Sequence, residues 1–177
     1  MVYCLESYCT QLASGRVNGT VDPVVSRARP GAVMSDACFG FAQPAFAATM
    51  PMAIDATREN GAATLAVAHA HTCTSLGYFT EQIAAEGLIG MGFTNASPVV
   101  APPGGKTAVI GTNPIAMTVP GDGAPAWHFY FSTSAVALGK ITMAKAAGKP
   151  IPPGWAVDAD GHNIPGGRPE GGVGQRR

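Results

Sequence analysis

A stretch of proline and glycine between two apolar runs, at residues 87–120, constrains the fold of this chain more than any other feature. Prolines at 98, 102, 103 and 114 fix the backbone angle φ and lack an amide donor, so no helix or central strand can cross the segment. We predict a buried strand over 88–94, a loop over 99–106 and another strand over 115–119. Gly104 and Gly105 permit close approach of a ligand or of another backbone. The loop is therefore suited to form the wall of a ligand site.

The rest of the chain alternates between helical and extended patterns. Helices are predicted over 3–14, 39–60, 75–86 and 135–147, each ending at a glycine, and strands over 21–25, 32–34, 63–68 and 126–131. Pro51 either kinks the second helix or makes it restart, because an interior proline costs about 3 kcal/mol. Thr74 is the expected N-cap of the third helix and Ser132–Ser134 that of the fourth. This alternation predicts an α/β fold.

Composition excludes several classes of protein. Only 12% of the 177 residues are charged, against about 25% in typical soluble domains, so we expect one domain that buries surface against a second subunit or the rest of a longer chain. Net charge is zero, which disfavours nucleic-acid binding. No apolar run reaches membrane-helix length, and the N-terminus lacks a secretion pattern. The four cysteines lack a C-x-x-C pair, so we expect a reducing cytoplasm.

Two nucleotide-binding motifs are excluded by their spacing. Residues 104–107, Gly-Gly-Lys-Thr, resemble the end of a phosphate-binding loop, but position 100 is valine where that motif needs glycine, and no helix can follow Thr107 before Gly111. Glycines 87, 90 and 92 have the wrong order for a dinucleotide fingerprint, and no helix follows them. A nicotinamide cofactor would need a fold other than the Rossmann fold.

Three polar groups leave alternatives open. His69, His71 and Cys73 alternate, so on an extended chain they would share a face as metal ligands, although no carboxylate follows nearby and a local polar role explains them as well. Ser132–Ser134 could hold a phosphate at a strand-to-helix junction or only cap the helix. The Thr112–Pro114 turn could be functional, although Asn-Pro also starts ordinary turns.

Three longer phrases resemble a known family. They are 76–90 (LGYFTEQIAAEGLIG), 95–120 (NASPVVAPPGGKTAVIGTNPIAMTVP) and 132–161 (STSAVALGKITMAKAAGKPIPPGWAVDADG). Together they are similar to the type 2 malate/L-lactate dehydrogenase family over roughly residues 1–161. The resemblance implies a non-Rossmann, mixed-sheet fold with a helical N-terminal portion, incomplete here. It also implies a homodimer that uses NAD or NADP on small 2-oxo or 2-hydroxy acids and related imino acids.

The resemblance also implies where the site residues lie. Cofactor contacts are expected from one set of positions: Thr72, Gly104, Gly105, Thr112, Asn113, Ser132, Thr133 and Ser134. Hydride transfer to a 2-oxo acid needs a proton donor beside the carbonyl oxygen and a cation for the carboxylate. His71 is the one substitute proton donor near the expected site, and no metal is expected.

The chain departs from the family at four chemical positions. The family's Ser-His-Gly would precede residue 1, its arginine aligns with Cys4, a histidine aligns with Thr72, and an aspartate aligns with Tyr130. We therefore expect a partial domain over 1–161 in which hydride transfer is impaired, followed by a disordered Gly/Arg-rich tail over 162–177 such as a truncation or frameshift leaves. The alternative is a non-catalytic remnant that binds nucleotide or pairs with a homologue. The choice of 2-oxo acid and of NAD over NADP stays open.

Overall fold

The computed structural model describes residues 5–158, 160–162, 164 and 174–175. The chain divides into two compact units, Met1–Leu88 and Ile89–Arg177. The elements of the first unit are α1 (Leu5–Ala13), β1 (Val24–Arg29), β2 (Ala32–Asp36), α2 (Ala42–Asn60), β3 (Thr64–Ala68) and α3 (Gly77–Ala85). Those of the second are β4 (Gly90–Phe93), β5 (Ile115–Val119), β6 (Trp127–Phe131), α4 (Leu138–Ala146), β7 (Ala156–Val157) and β8 (Gly174–Gln175).

The first unit is built on a three-stranded sheet with the order β1-β2-β3. β1 and β2 pair antiparallel across a tight turn at Pro30 and Gly31, whereas β2 and β3 pair parallel. Parallel neighbours need a crossover connection, and α2 supplies it. The helix packs Ala53 and Ala56 against the buried Val33 of β2. One face of this sheet is therefore covered by the helix that connects its own strands.

α2 continues through Pro51, which lies inside the helix. The alternative of a helix that restarts at this proline is therefore wrong. The helix is held by packing on both sides of the proline, with Phe46 and Ile54 both buried. It ends at Gly61, whose φ of 79° is left-handed, as the sequence predicts.

The second unit is built on a three-stranded antiparallel sheet with the order β4-β5-β6. Its helix α4 belongs to a separate apolar cluster, in which Ile141 packs with Val136, Ile151 and Ala156. β7 and β8 form a short additional pair. The predicted strands in this unit are present, and β5 has the predicted bounds. The expectation that the strand over 88–94 is buried is wrong, because Met91 and Phe93 of β4 are 56% and 65% exposed.

Two predicted helix caps are wrong. α4 begins at Leu138 after Ala137, without a side-chain cap, because the hydroxyls of Ser132–Ser134 bond elsewhere in a non-helical segment. α3 begins at Gly77 after Leu76. Thr74 adopts a left-handed φ of 58° and donates its hydroxyl proton to the Cys73 carbonyl, so it is unable to cap that helix.

Most of the predicted disordered tail, 162–177, lies outside the described residues, and the boundary at residue 161 stays a prediction. The backbone of Gly174–Gln175 pairs with β7. Among the described residues, no helix combines the length and the apolar character that crossing a bilayer requires.

Candidate functional site

The loops that follow β2 and β3 in the first unit have an unusual backbone. Cys38, Phe39, His69 and Thr74 adopt left-handed φ angles of 48°, 63°, 48° and 58°. Each such residue costs on the order of 1–3 kcal/mol, and these outliers cluster at functional sites. The carboxyl ends of parallel strands meet at one edge of a sheet, which is where α/β proteins bind ligands. This edge is a candidate site in the first unit.

Backbone hydrogen bonds hold the two loops together beyond the ends of the strands. The Phe39 amide donates to the His69 carbonyl at 2.9 Å, and the His71 amide donates to the Gly40 carbonyl at 2.8 Å. His71 also forms an isolated parallel bridge with Phe41, directly before α2. The loops therefore form one fixed surface, and α2 begins beside it.

One ring nitrogen of His71 is buried. Its Nε2 atom is inaccessible to solvent and has no hydrogen-bond partner in the part of the chain that the structure describes. The ring meets Phe41 and Tyr8 edge to face, with centroids 5.9 and 6.5 Å away. Leaving a buried polar atom unpaired costs about 1–3 kcal/mol. A ligand group that bonded this atom would remove that cost.

Thr72, the neighbour of His71, is exposed and its hydroxyl accepts a hydrogen bond from the Thr74 amide at 3.3 Å. The structure thus places a hydroxyl, tied to a local turn, where the family resemblance expects an imidazole. His71 and Thr72 lie on the same loop edge, and their predicted roles stay predictions.

Asp36 and His69 form a pair that sequence reasoning missed. His69 Nδ1 lies 3.0 Å from Asp36 Oδ2. The Cys38 amide donates to Asp36 at 2.8 Å, and this bond, followed by that to His69, holds the pKa of the Asp36 carboxyl below its ordinary value. The sequence places each residue at or just after the end of a strand, but their pairing depends on the parallel register of β2 and β3.

The histidine and cysteine alternation does not produce a metal site among the described residues. His69 is engaged by Asp36, and His71 packs against aromatic rings. Within the described ranges, Asp158, Asp160 and His162 do place ligand atoms within 4.8 Å of one another, all of them exposed. Asp158 accepts backbone amides of His162 and Asp160, which lowers the pKa of its carboxyl. Bonds of this kind are those of a turn, in which the Asp158 carboxylate binds the backbone amides that follow it.

The Gly111–Pro114 turn in the second unit is a tightly packed junction. A Cβ atom at Gly111 would collide with the Ala96 carbonyl and the Asn113 side chain. Asn113 has a left-handed φ of 35°, and its Oδ1 accepts the Ala96 amide at 3.0 Å. Glycine and asparagine are therefore required here by the backbone itself.

Thr133 joins this turn to the Ser132–Ser134 segment. Its amide donates to the Thr112 carbonyl at 2.9 Å, and its hydroxyl lies 3.1 Å from the carbonyls of both Gly111 and Thr112. The Ser132 and Ser134 hydroxyls lie 3.0 Å apart. These four residues of the junction are half-buried: Thr112, Ser132, Thr133 and Ser134. The structure thus brings five of the predicted cofactor residues together in one place: Thr112, Asn113, Ser132, Thr133 and Ser134.

Gly104 and Gly105 lie in a different part of the second unit. They line a pocket of about 470 Å³ together with other residues of 101–106, Val157, Asp160 and Gly161. Gly104 has a φ of 75°, and Lys106 supplies a cation to the lining. The lining does not include Thr112, Asn113 or Ser132–Ser134. The predicted wall and the predicted cofactor junction are therefore separate features of this unit.

Comparisons with known proteins agree on the family. The family model described as malate/L-lactate dehydrogenase matches residues 2–165. The Δ1-pyrroline-2-carboxylate/Δ1-piperideine-2-carboxylate reductase of Pseudomonas syringae pv. tomato is 38% identical over 160 residues, covering 90% of this chain and 47% of the reductase. The NADP⁺-dependent (2R)-3-sulfolactate dehydrogenase of Chromohalobacter salexigens is 41% identical over 158 residues, covering 89% and 47%.

A solved relative has the same backbone arrangement. The crystal structure of the Pseudomonas syringae Δ1-piperideine-2-carboxylate reductase superposes with a TM-score of 0.91 at 36% identity, covering 99% of this chain and 53% of that one. The malate dehydrogenase of Entamoeba histolytica superposes with a TM-score of 0.83 at 27% identity, covering 95% and 48%. The mixed α/β, non-Rossmann fold class predicted from sequence is confirmed. This chain spans about half the length of these relatives.

Proposed function

Because this chain belongs to the malate/L-lactate dehydrogenase family, we propose that it is part of an NAD(P)-dependent oxidoreductase. The proposed reaction is hydride transfer between NAD or NADP and a small 2-oxo or 2-hydroxy acid, or the related cyclic imino acids, and it is impaired in this copy. The support is the similarity to reductases and dehydrogenases that are named for such substrates. We further propose a cytoplasmic homodimer, in keeping with the low content of charged residues.

The Thr133-centred junction carries this proposal. Two sequence phrases that mark the family, Gly111–Pro114 and Ser132–Ser134, are 18 or more residues apart and meet through the bonds of one side chain. The hydroxyls of Thr112, Ser132 and Ser134 are half-buried beside them. Partly buried hydroxyls on a fixed backbone suit the polar groups of a dinucleotide.

The residues present fit a nicotinamide dinucleotide in two places. The junction offers hydroxyls for hydrogen bonds to ribose or phosphate oxygens, and the Gly104–Gly105 pocket offers exposed backbone with the ammonium of Lys106 for a phosphate. The cofactor, when bound, supplies or accepts the hydride. We assign the contacts at the junction to Thr112, Asn113 and Ser132–Ser134, and those at the pocket wall to Gly104 and Gly105.

His71 is the proposed proton donor to the substrate. Its Nε2 atom is buried and lacks a hydrogen-bond partner among the described residues, so a substrate oxygen or nitrogen that reached it would not compete with another protein hydrogen bond. The neighbouring Thr72 is assigned to cofactor contact through its exposed hydroxyl. Proton transfer by a positioned side chain contributes roughly 10²–10⁴-fold to a rate.

A second candidate is a remnant that binds nucleotide without turnover. It is favoured by Thr72 and Tyr130, which stand where the resemblance expects a histidine and an aspartate. Neither side chain can supply the imidazole or the carboxylate in question. Tyr130 is 45% exposed on β6.

Cofactor binding and turnover by the full chain separate these candidates. NADH and NADPH fluorescence is titrated with the protein, and oxidation is followed with pyruvate, oxaloacetate and Δ1-piperideine-2-carboxylate. The proposed enzyme turns over at least one substrate, and His71→Ala removes turnover while cofactor affinity changes less than twofold. His162→Ala is the matched control, because that imidazole is largely exposed in the other unit.

Each outcome decides between the two readings. Cofactor binding without turnover of any of the three substrates supports the remnant. Turnover that survives in His71→Ala retains the enzyme and overturns the role of His71. The double variant Thr112→Ala/Ser134→Ala is expected to weaken NAD(P)H binding more than tenfold, and unchanged affinity would remove the junction from the cofactor site.

A further inference from the structure

The dipeptide Asn-Gly occurs twice in the first unit, at residues 18–19 and 60–61. In this dipeptide the glycine nitrogen can attack the side-chain carbonyl carbon of the asparagine, because glycine has no side chain to hinder the approach. The reaction releases ammonia and leaves aspartate or isoaspartate. Both asparagines and both glycines are exposed, so their hydrogen bonds decide which of the two sites reacts.

The side-chain carbonyl of Asn18 is bound by two donors of Thr20. The Thr20 amide donates to Asn18 Oδ1 at 3.2 Å, and the Thr20 hydroxyl donates to the same oxygen at 3.3 Å. This Asx turn closes a ring that contains both Cγ of Asn18 and the nitrogen of Gly19. The two donors also face the oxygen on which negative charge develops when that nitrogen adds to Cγ. The turn therefore stabilises the cyclisation of its own asparagine.

The attacking nitrogen of Gly19 is available for this reaction. Among the described residues, the Gly19 amide has no hydrogen-bond partner that it would have to give up. Its neighbours on both sides are bonded, since the Asn18 amide donates to the Phe39 carbonyl at 3.0 Å and the Thr20 amide donates to Asn18. The turn is thus fixed at both ends while its central nitrogen stays free.

Asn60 has the opposite arrangement. Its Nδ2 atom donates to the carbonyls of Pro30 and Ala56, at 3.2 and 2.8 Å. The nitrogen that would leave as ammonia is therefore bound to two acceptors. In the part of the chain that the structure describes, no donor binds the Asn60 side-chain oxygen. Asn60 is a comparison site with the same dipeptide but without the activating bonds.

We propose that Asn18 is the site at which the folded chain deamidates, and that the product carries a new carboxylate against the candidate site of the first unit. The Gly19 nitrogen loses its proton to solvent and bonds to Cγ of Asn18, and the Cγ–Nδ2 bond breaks to release ammonia. Water then opens the succinimide at either of its carbonyls. The sum is asparagine plus water giving aspartate or isoaspartate plus ammonia, and no oxidant or reductant takes part.

The isoaspartyl product places its charge beside the loops that follow β2 and β3. In this product the main chain runs through Cγ, and the former backbone carbonyl of residue 18 becomes a free carboxylate. That carbonyl oxygen lies against Gly40, where a Cβ atom would stand 3.2 Å from it. The Gly40 carbonyl in turn accepts the His71 amide at 2.8 Å. The new charge is therefore separated from the His71 backbone by a single residue.

The test follows both asparagines in one sample. The full chain is incubated at neutral pH in water enriched in the heavy oxygen isotope, which labels each residue that deamidates during the incubation. Trypsin places Asn18 in peptide 17–27 and Asn60 in peptide 59–106, so mass spectrometry reads the two rates separately. In the folded chain Asn18 is expected to react about tenfold faster than Asn60 or more. In denaturing urea the rates should agree within about twofold, because the bonds that distinguish the sites are lost.

A variant of Thr20 tests the role of the turn. Thr20→Val keeps the shape and the amide of the residue but removes the hydroxyl donor, and it is expected to slow the reaction at Asn18 about fivefold. Thr10→Val is the matched control, because the Thr10 hydroxyl of the same unit bonds only within α1, to the Glu6 carbonyl. The control should leave the rate at Asn18 unchanged. Circular dichroism checks that both variants keep the fold of the parent chain.

The product is examined by NMR after ion exchange separates the isoaspartyl chain from the parent. The imidazole signals of His71 are expected to shift, and those of His162 in the other unit are not. Unmoved His71 signals would overturn the placement of the charge. Equal rates at Asn18 and Asn60 in the folded chain, or a rate ratio that urea leaves unchanged, would overturn Asn18 as a site selected by the fold. No cofactor or substrate is present, so these results are independent of the proposed oxidoreductase function.

Discussion

The three-stranded sheets of the two units differ in how much apolar surface they leave exposed. In the first unit α2 lies on the sheet, and β2 alternates between buried and more exposed residues, with Val33 only 1% exposed. In the second unit Trp127 and Phe131, on the edge strand β6, remain half exposed. Both sheets bury one face, since Ala116 and Thr118 of β5 are 0% exposed, but the open face of the second sheet carries large apolar side chains.

Strand direction explains this difference. β2 and β3 are parallel, so the chain must return to the start of the sheet, and the helix that makes this connection covers one face. β4, β5 and β6 are antiparallel and are joined by loops. Loops can join antiparallel strands without placing a helix on the sheet. A sheet of the second kind needs its cover from elsewhere in sequence.

The largest expected contrast comes from one charge placed in each sheet. Val33→Asp buries a carboxylate under α2 and is expected to destabilise the first unit by more than about 4 kcal/mol. Phe93→Asp places the same charge on an exposed position and is expected to change the stability of the chain alone by less than about 1 kcal/mol. Chemical denaturation followed by circular dichroism measures both.

Hydrogen exchange provides the control for this pair. Amides of β2 and β3 are expected to lose protection in Val33→Asp, whereas those of β4 and β5 keep theirs in Phe93→Asp. Strong destabilisation by Phe93→Asp would contradict the comparison, because it would mean that the exposed apolar side chains of β4 and β6 are already covered in the isolated chain.

The next contrast lies within the second unit and concerns glycine. Gly111→Ala places a Cβ against the Ala96 carbonyl, a backbone atom that cannot move aside. A loss of about 2–4 kcal/mol is expected. Gly123→Ala is the matched control, because that site has a left-handed φ of 74° but open space around it. It should cost only about 1 kcal/mol, and equal effects at both sites would remove the steric argument at Gly111.

Much of the fold could be predicted from sequence because the helix-ending signals are local. The glycines at 15, 61, 87 and 148 all adopt left-handed φ angles at or just beyond helix ends, as their backbone freedom predicts. The hydroxyl caps at Thr74 and Ser132–Ser134 were wrong. A hydroxyl caps a helix only if nothing else binds it, and the partners of Thr133 are carbonyls more than 20 residues away in sequence.

Less of the candidate site could be predicted, for the same reason. The loop from Gly111 to Pro114 was recognised as a turn, but its packing against Ala96 depends on tertiary structure. The Asp36–His69 pair spans 33 residues and needs the parallel register of β2 and β3. The unpartnered Nε2 of His71 likewise follows from the rings that surround it, and no local pattern indicates it.

A smaller effect is expected from the side chain that joins the two family phrases. Thr133→Val keeps the shape of the residue and removes the hydroxyl that bonds the Gly111 and Thr112 carbonyls. We expect a loss of about 0.5–1.5 kcal/mol in the second unit, read from denaturation, with weaker NAD(P)H binding. Thr142→Val is the control, because its hydroxyl bonds only within the exposed α4. Equal effects would mean that Thr133 does not organise the junction.

The smallest expected effect belongs to the first unit and depends on pH. The pKa of Asp36 is lowered in the folded state, first by the Cys38 amide and then by His69. Its contribution to stability is therefore present above the ordinary value of 3.8 and is lost as pH falls through the lowered folded value. In His69→Gln, an NMR titration of the Asp36 carboxyl should give a pKa nearer to its ordinary value but still below it, since the Cys38 amide remains. An unchanged pKa would mean that the pair does not form in solution, and full return to the ordinary value would mean that the amide bond is absent. Either result would remove the fixed polar edge that distinguishes the first unit from the second, where Trp127 and Phe131 leave apolar surface exposed.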